Sequence, residues 1–164
     1  MLQSGIVHGR GAITEVSATL ASSTARVPSW GKLLVLAGTD RAVRTVTPTV
    51  LVVEDDRAVR LLFTKVLQRA GYTVIACENG TLGLETARTH IDTIDAVVTD
   101  ARMPGMQGPR LIARIRALRP GIPAILVSGN LLDTETDHGT VFLTKPVSPA
   151  ILTRELKRLL SARM

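Results

Sequence analysis

From Pro48 onward, short runs of β-branched and aliphatic residues alternate with amphipathic stretches, and this alternation restricts the fold more than any other feature of the chain. Val50-Leu51-Val52-Val53, Thr73-Val74-Ile75-Ala76-Cys77, residues 96–99, residues 123–127 and Val141-Phe142-Leu143 read as five strands. Each is an almost unbroken apolar run, the pattern of a strand buried on both faces. The stretch 57–70 reads as a helix with Val59, Leu62, Phe63, Val66 and Leu67 on one stripe, Asp56 placed to cap its start and Gly71 to end it. A second helix follows Asn79-Gly80, with Leu84 and Ala87 toward the sheet and Gly83 allowing close approach. A third carries Leu111, Ile112, Ile115 and Leu118 and closes at Pro120-Gly121. The last opens at Ser148-Pro149, a cap residue followed by proline at the first helical position, and bears Ile151, Leu152, Leu156, Leu159 and Leu160.

Strands that alternate with helices connect by right-handed crossovers into a parallel sheet covered on both faces. The expected fold is therefore α/β with a doubly wound, five-stranded parallel sheet, and the order expected for it is the flavodoxin-like 2-1-3-4-5. In that order the carboxyl ends of strands 1 and 3 adjoin the switch point where ligands collect. Residues 48–164 form this domain, with Pro48 at its edge. Residues 1–47 are rich in Ser, Thr, Gly and Ala, show no sustained period and read as a partly ordered extension, with Lys32-Leu33-Leu34-Val35-Leu36-Ala37 as its best strand candidate.

Bulk properties exclude several classes of function. A chain of 164 residues holds one domain plus a tail, and a hydrophobic fraction of 45% supports a core that only four aromatic residues help to fill. The net charge of +6 comes from scattered arginines rather than one basic face, so no nucleic-acid partner is expected. Cys77 is the single cysteine, which rules out an internal disulfide and a cysteine-based metal cluster. With no bilayer-spanning apolar stretch and no signal peptide, no membrane association and a cytoplasmic setting are expected. His8, His90 and His138 read as surface residues.

The residues that follow the strands are chemically pointed. Glu54 and Asp55 follow the first, Asp100 the third, Ser128 the fourth and Lys145 the fifth. Each alone is ordinary, because acids cap helices, serine turns the chain and lysine is commonly solvated. Their arrival at one rim is not ordinary, since carboxylates about 4 Å apart repel by about 4 kcal/mol at an effective dielectric near 20 and require a cation. Hard oxygen donors grouped in this way suit Mg²⁺.

Leu51-Val52-Val53-Glu54-Asp55-Asp56, Val98-Thr99-Asp100-Ala101-Arg102-Met103-Pro104-Gly105-Met106, Leu126-Val127-Ser128-Gly129 and Phe142-Leu143-Thr144-Lys145-Pro146 stand in the order in which they occur in the receiver domain of two-component response regulators, which this sequence resembles from Pro48 to its end. The resemblance implies a phosphoacceptor on Asp100, with Mg²⁺ held by Asp55, Asp100 and the backbone carbonyl of Arg102, and Glu54 assisting through water. It implies Lys145 as the cation on the transferred phosphoryl group, Ser128 as the switch hydroxyl and Phe142 as the aromatic whose rotamer follows it; Phe142 reads equally well as core. The implied donor is a phosphohistidine on a sensor histidine kinase or phosphotransfer protein, the readout is a protein partner, and a homodimer is compatible with the pattern. Conventional turnover is not implied beyond self-phosphorylation and autodephosphorylation.

Two departures accompany the match. Asp133, Thr134, Glu135, Thr136 and Asp137 replace an amphipathic stretch, so a shortened fourth helix is expected, and Gln107 stands where the family often has an acid. The chain ends at Arg163-Met164, so no output domain is expected after the last helix; a stand-alone receiver, or one detached from a hybrid sensor kinase, fits. Ile6-Val7-His8-Gly9-Arg10-Gly11-Ala12-Ile13 resembles the closing strands of a histidine kinase ATP-binding domain, but the glycine-rich nucleotide motifs that should precede it are missing and ATP binding is not expected. The rival readings are a scaffolding pseudo-receiver that turns over no phosphate, and a small phosphatase. A phosphatase would usually carry a second acid two residues after the nucleophile, where this chain has Arg102.

Overall fold

A computed structural model describes residues 32–33, 45–129 and 139–162. Within them one sheet holds β1 (Thr49–Val53), β2 (Thr73–Cys77), β3 (Ile94–Asp100), β4 (Ala124–Ser128) and β5 (Thr140–Thr144), interleaved with α1 (Arg57–Arg69), α2 (Gly80–His90), α3 (Gly108–Leu118) and α4 (Pro149–Ser161). The strand order is β2-β1-β3-β4-β5, the expected 2-1-3-4-5, and every neighbouring pair is parallel. Lys32–Leu33 pairs antiparallel with Thr45–Val46. The rest of the proposed extension and the stretch in which a shortened fourth helix was expected, including Asp133 and Asp137, lie outside the described residues. Among the described residues no helix is long and apolar enough to cross a membrane.

Strand alternation divides the core in two. Leu51, Val53, Val97 and Leu126 point to the face covered by α2 and α3, where Leu84, Ala87, Leu111, Ile112 and Ile115 meet them. Val50, Val52, Val98, Ile125 and Val127 point to the other face, against Phe63 and Leu67 of α1 and Leu152 and Leu156 of α4. β1 and β4 are buried along both faces, as their unbroken apolar runs require. Leu62 and Ile151, placed by the sequence pattern on buried stripes, are 47% and 39% exposed. A helix lying on a flat sheet buries a narrower arc than its apolar residues span, and these two fall at its margin.

Register sets the rim. β1 and β3 slip by one residue between Thr49 and Val50, where Asp95 Oδ2 accepts the Thr49 N–H at 3.0 Å. Beyond this irregularity Val53 lies opposite Thr99, Asp100 opposite Val127, and Ser128 opposite Thr144. Glu54, Asp100, Ser128 and Lys145 therefore emerge side by side at the carboxyl end of the sheet.

Tyr72 joins α1 to β2 and is buried, which pushes its hydroxyl up from 10.0 to about 12. As the only tyrosine in the chain it reports on this burial directly. Tyrosinate absorbance should titrate with a midpoint near 12 in the folded protein and near its ordinary 10 in urea. Because the folded-state value is the higher one, the contribution of this group to stability is complete below about pH 10 and is lost as pH rises to about 12; unfolding free energy measured across that window should lose this decline in Tyr72→Phe.

Candidate functional site

Glu54 leaves β1 with its N–H donated to the Cys77 carbonyl oxygen at 3.1 Å, and its side chain is 1% exposed. Asp56 accepts from the N–H groups of Ala58 and Val59 at 2.8 and 3.0 Å and so caps α1; these bonds hold its carboxyl below its ordinary value. Asp55 stands between them with an exposed side chain. Asp100 is the last residue of β3 and Ser128 the last of β4, and both are buried. Lys145 follows β5, its N–H donated to the Ser128 carbonyl at 2.8 Å, and its peptide bond to Pro146 is cis.

Three carboxylates converge here: one oxygen from each of Glu54, Asp55 and Asp100 lies within 4.8 Å of the other two. Lys145 Nζ reaches into this cluster, 3.1 Å from Glu54 Oε2, 3.3 Å from Glu54 Oε1 and 3.2 Å from Asp100 Oδ1. Burial raises the Glu54 carboxyl above its ordinary value; the Lys145 hydrogen bond opposes this, and the charge of Asp100 adds to it. Burial alone would lower the Lys145 ammonium, but its hydrogen bonds and charge pairing with Glu54, and then with Asp100, outweigh burial and raise it. The ammonium is therefore firmly charged and serves two acids at once.

Sequence reasoning named Glu54, Asp55, Asp100, Ser128 and Lys145, and the structure brings all five to one rim. Phe142 is half-buried opposite Leu126 and packs against the core under α2 and α3. Arg102 is exposed and follows Ala101, whose N–H donates to the Val127 carbonyl at 2.7 Å and whose carbonyl accepts from Gly108 N–H at 3.1 Å. Gln107 is the N-cap of α3 without a side-chain cap bond.

Two residues that the sequence did not single out touch the site. Arg60, one turn into α1, donates from Nη1 to the carbonyl oxygens of Glu54 and Asp55 at 2.6 and 3.1 Å. Gly108 lets α3 begin directly beneath Asp100: a Cβ there would collide with the Asp100 carbonyl oxygen and come within 2.7 Å of Leu126 Cδ1. A glycine shortly before Leu111 of the third predicted helix and an arginine off the apolar stripe of the first were the available signals, and both patterns are common in helices that touch no site.

Three substitutions test this packing and charge balance. Gly108→Ala should cost about 1–3 kcal/mol in urea unfolding, because backbone has to move to admit the methyl group. Lys145→Met should cost about 1–3 kcal/mol in chelator-treated protein at neutral pH, through lost bonds to charged partners. Adding Glu54→Gln to the Lys145→Met variant should recover part of that loss by removing one of the two acids left without the ammonium.

The sequence profile of the family described as the response regulator receiver domain matches residues 50–157. The sensor kinase CckA of Brucella abortus (strain 2308) is 38% identical over 117 residues, a match covering 68% of this chain and 12% of that protein. The C4-dicarboxylate transport transcriptional regulatory protein DctD of Rhizobium meliloti (strain 1021) is 34% identical over 116 residues, covering 68% of this chain and 25% of that protein. The chain thus corresponds to a small part of these relatives. Among solved structures, the receiver domain from the hybrid histidine kinase CckA superposes with a TM-score of 0.62 at 32% identity, covering 68% of this chain and 98% of that one. A response regulator receiver protein from Sinorhizobium medicae WSM419 gives 0.67 at 28% identity, covering 72% and 98%. With its profile match spanning more than half its length, its sheet order and its rim of acids and lysine, the chain belongs to the response regulator receiver domain family of two-component signalling.

Proposed function

We propose that the domain, residues 48–164, is the phosphoacceptor of a two-component phosphorelay, that Asp100 receives the phosphoryl group, and that residues 1–47 are an extension outside the domain. The observation that carries this reading is the placement of a nearly buried Asp100 carboxylate 3.2 Å from the Lys145 ammonium and within 4.8 Å of the oxygens of Glu54 and Asp55.

The donor would be the phosphohistidine of a sensor histidine kinase or phosphotransfer protein, the partners with which receiver domains work. An Asp100 oxygen attacks phosphorus in line; the O–P bond forms as the N–P bond breaks, and the histidine leaves with its electron pair. Lys145 stabilises charge on the phosphoryl oxygens during transfer. Water later cleaves the acyl phosphate and restores the carboxylate.

Three carboxylate oxygens this close together are a donor set that fits Mg²⁺, a hard cation that takes one or two carboxylates and completes its shell with water and phosphate oxygens. Asp55, Asp100 and the Arg102 carbonyl would hold it, with Glu54 acting through water. When bound, it supplies positive charge against the phosphoryl group.

Ser128 and Phe142 form the proposed switch, the hydroxyl meeting the new phosphoryl oxygens and the aromatic ring following. Phosphorylation shifts an equilibrium between two conformations only by the difference in contacts it makes in each. A protein partner would read that shift. Likeness to the CckA receiver favours a place beside a hybrid sensor kinase, and a cytoplasmic site accompanies this reading.

Intact-mass measurement after incubation with Mg²⁺ and a small acyl phosphate tests the proposal. The unaltered protein should gain one phosphoryl group and Asp100→Asn none, while Lys145→Met should slow the gain by about 10²–10³-fold, the usual effect of removing one group that stabilises transition-state charge. A protein that gains no mass, or an Asp100→Asn variant that gains it equally, overturns the assignment; the former result is that of a scaffolding pseudo-receiver.

A further inference from the structure

The link between β1 and α1 is three residues long, and its outer members are fixed by contacts of their own. Glu54 is held by the Cys77 carbonyl through its N–H and by Lys145 through its carboxylate. Asp56 is held by the first N–H groups of α1. Asp55 projects its side chain outward between them and is gripped through its carbonyl oxygen by Arg60 Nη1 at 3.1 Å. The same nitrogen donates to the Glu54 carbonyl at 2.6 Å, so one atom spans two consecutive peptide units.

The Arg60 side chain is 17% exposed, and its Nη2 lies 3.9 Å from Glu78 Oε2 just beyond β2. The guanidinium thus joins the acidic link to the next strand end. Carbonyls leaving a strand for a helix need donors, and the two N–H groups of a single guanidinium nitrogen, held in plane by the rest of the group, meet two of them with little loss of freedom. Fixing both peptide planes fixes the direction in which the Asp55 Cα–Cβ bond leaves the backbone, and hence its distance from Asp100.

We propose that Arg60 is a positioning residue for divalent-cation binding, holding the Asp55 backbone so that its carboxylate stays in reach of Asp100. This inference rests on the phosphoacceptor reading, because it concerns the same acids. Charge and geometry make opposite demands on it. Removing a cation from the backbone of the acidic link strengthens divalent-cation binding there by Coulomb's law alone, so weakened binding has to come from lost positioning. A merely structural tie, by contrast, lowers stability and leaves the affinity of the folded domain as it was.

The test is calorimetric titration of the full chain with Mg²⁺ alone. Arg60→Met keeps the apolar stem and helix propensity while removing the donors. It should raise the dissociation constant by about tenfold, the effect typical of losing a group that orients a metal ligand. Arg60→Lys, with one flexible ammonium in place of the guanidinium, should fall between the two, and the Mg²⁺ concentration giving half-maximal phosphorylation by an acyl phosphate should move in the same order. If Arg60→Met fails to fold by circular dichroism in chelator, Arg60→Lys alone decides, with a dissociation constant raised about threefold as the supporting result. Binding within twofold of the unaltered protein, or tighter, overturns the role of Arg60. Absence of saturable binding by the unaltered protein, matched by Asp55→Asn, instead removes the metal reading beneath it.

Discussion

Glu54 and Asp100, both nearly buried, share one ammonium group, and the rim of the sheet is arranged around that meeting. Two carboxylates at this distance in a partly dry environment would repel by several kcal/mol, on the order of the 4 kcal/mol expected at an effective dielectric near 20. Lys145 has to come from a strand that is far away in the chain, 91 residues beyond Glu54. Its backbone is tied to Ser128 and its side chain crosses to Asp100 and Glu54, so a single residue links the ends of β1, β3, β4 and β5. The cost of crowding the acids is thereby offset by a partner that the fold alone can deliver.

Close seating of helices on the sheet is the second requirement. At Gly108 a side chain would strike the Asp100 carbonyl oxygen, and at Gly83 it would meet Val53 Cγ2 at 2.8 Å. Both glycines sit under strand ends that carry the site. The α2 and α3 backbones can therefore approach the sheet closely enough for the loops after β1 and β3 to meet, while the opposite face is packed by larger residues, Phe63, Leu67, Leu152 and Leu156.

Much of this was legible in the chain. The five apolar runs led to the strands, their alternation with helices led to a doubly wound parallel sheet, and the flavodoxin-like order 2-1-3-4-5 expected of it is the order observed. Glu54, Asp55, Asp100, Ser128 and Lys145 were legible because each lies within two residues of the end of such a run, and in a parallel sheet all carboxyl ends face the same way. Strand limits were less so: β3 runs to Asp100 and β4 to Ser128, one residue further than the apolar runs alone indicated. Main-chain pairing continues past the last hydrophobic residue because neighbouring strands still offer partners. Leu62 and Ile151 show the converse error, in which apolar identity is read as burial although the sheet covers only part of a helix.

Composition and periodicity by themselves determined the fold class, the two buried faces and the set of residues available at one rim, because these depend on local pattern and on the fixed hand of the crossovers. Only the tertiary structure decided which of those residues touch. The one-residue irregularity between β1 and β3 aligns Val53 with Thr99 and so sets Glu54 beside Asp100. The grip of Arg60 on two carbonyls and the fit of α3 beneath Asp100 likewise depend on distances between segments that no local pattern encodes. A cluster of like charges is a property of three-dimensional proximity, and proximity at the scale of a hydrogen bond is settled by register and packing.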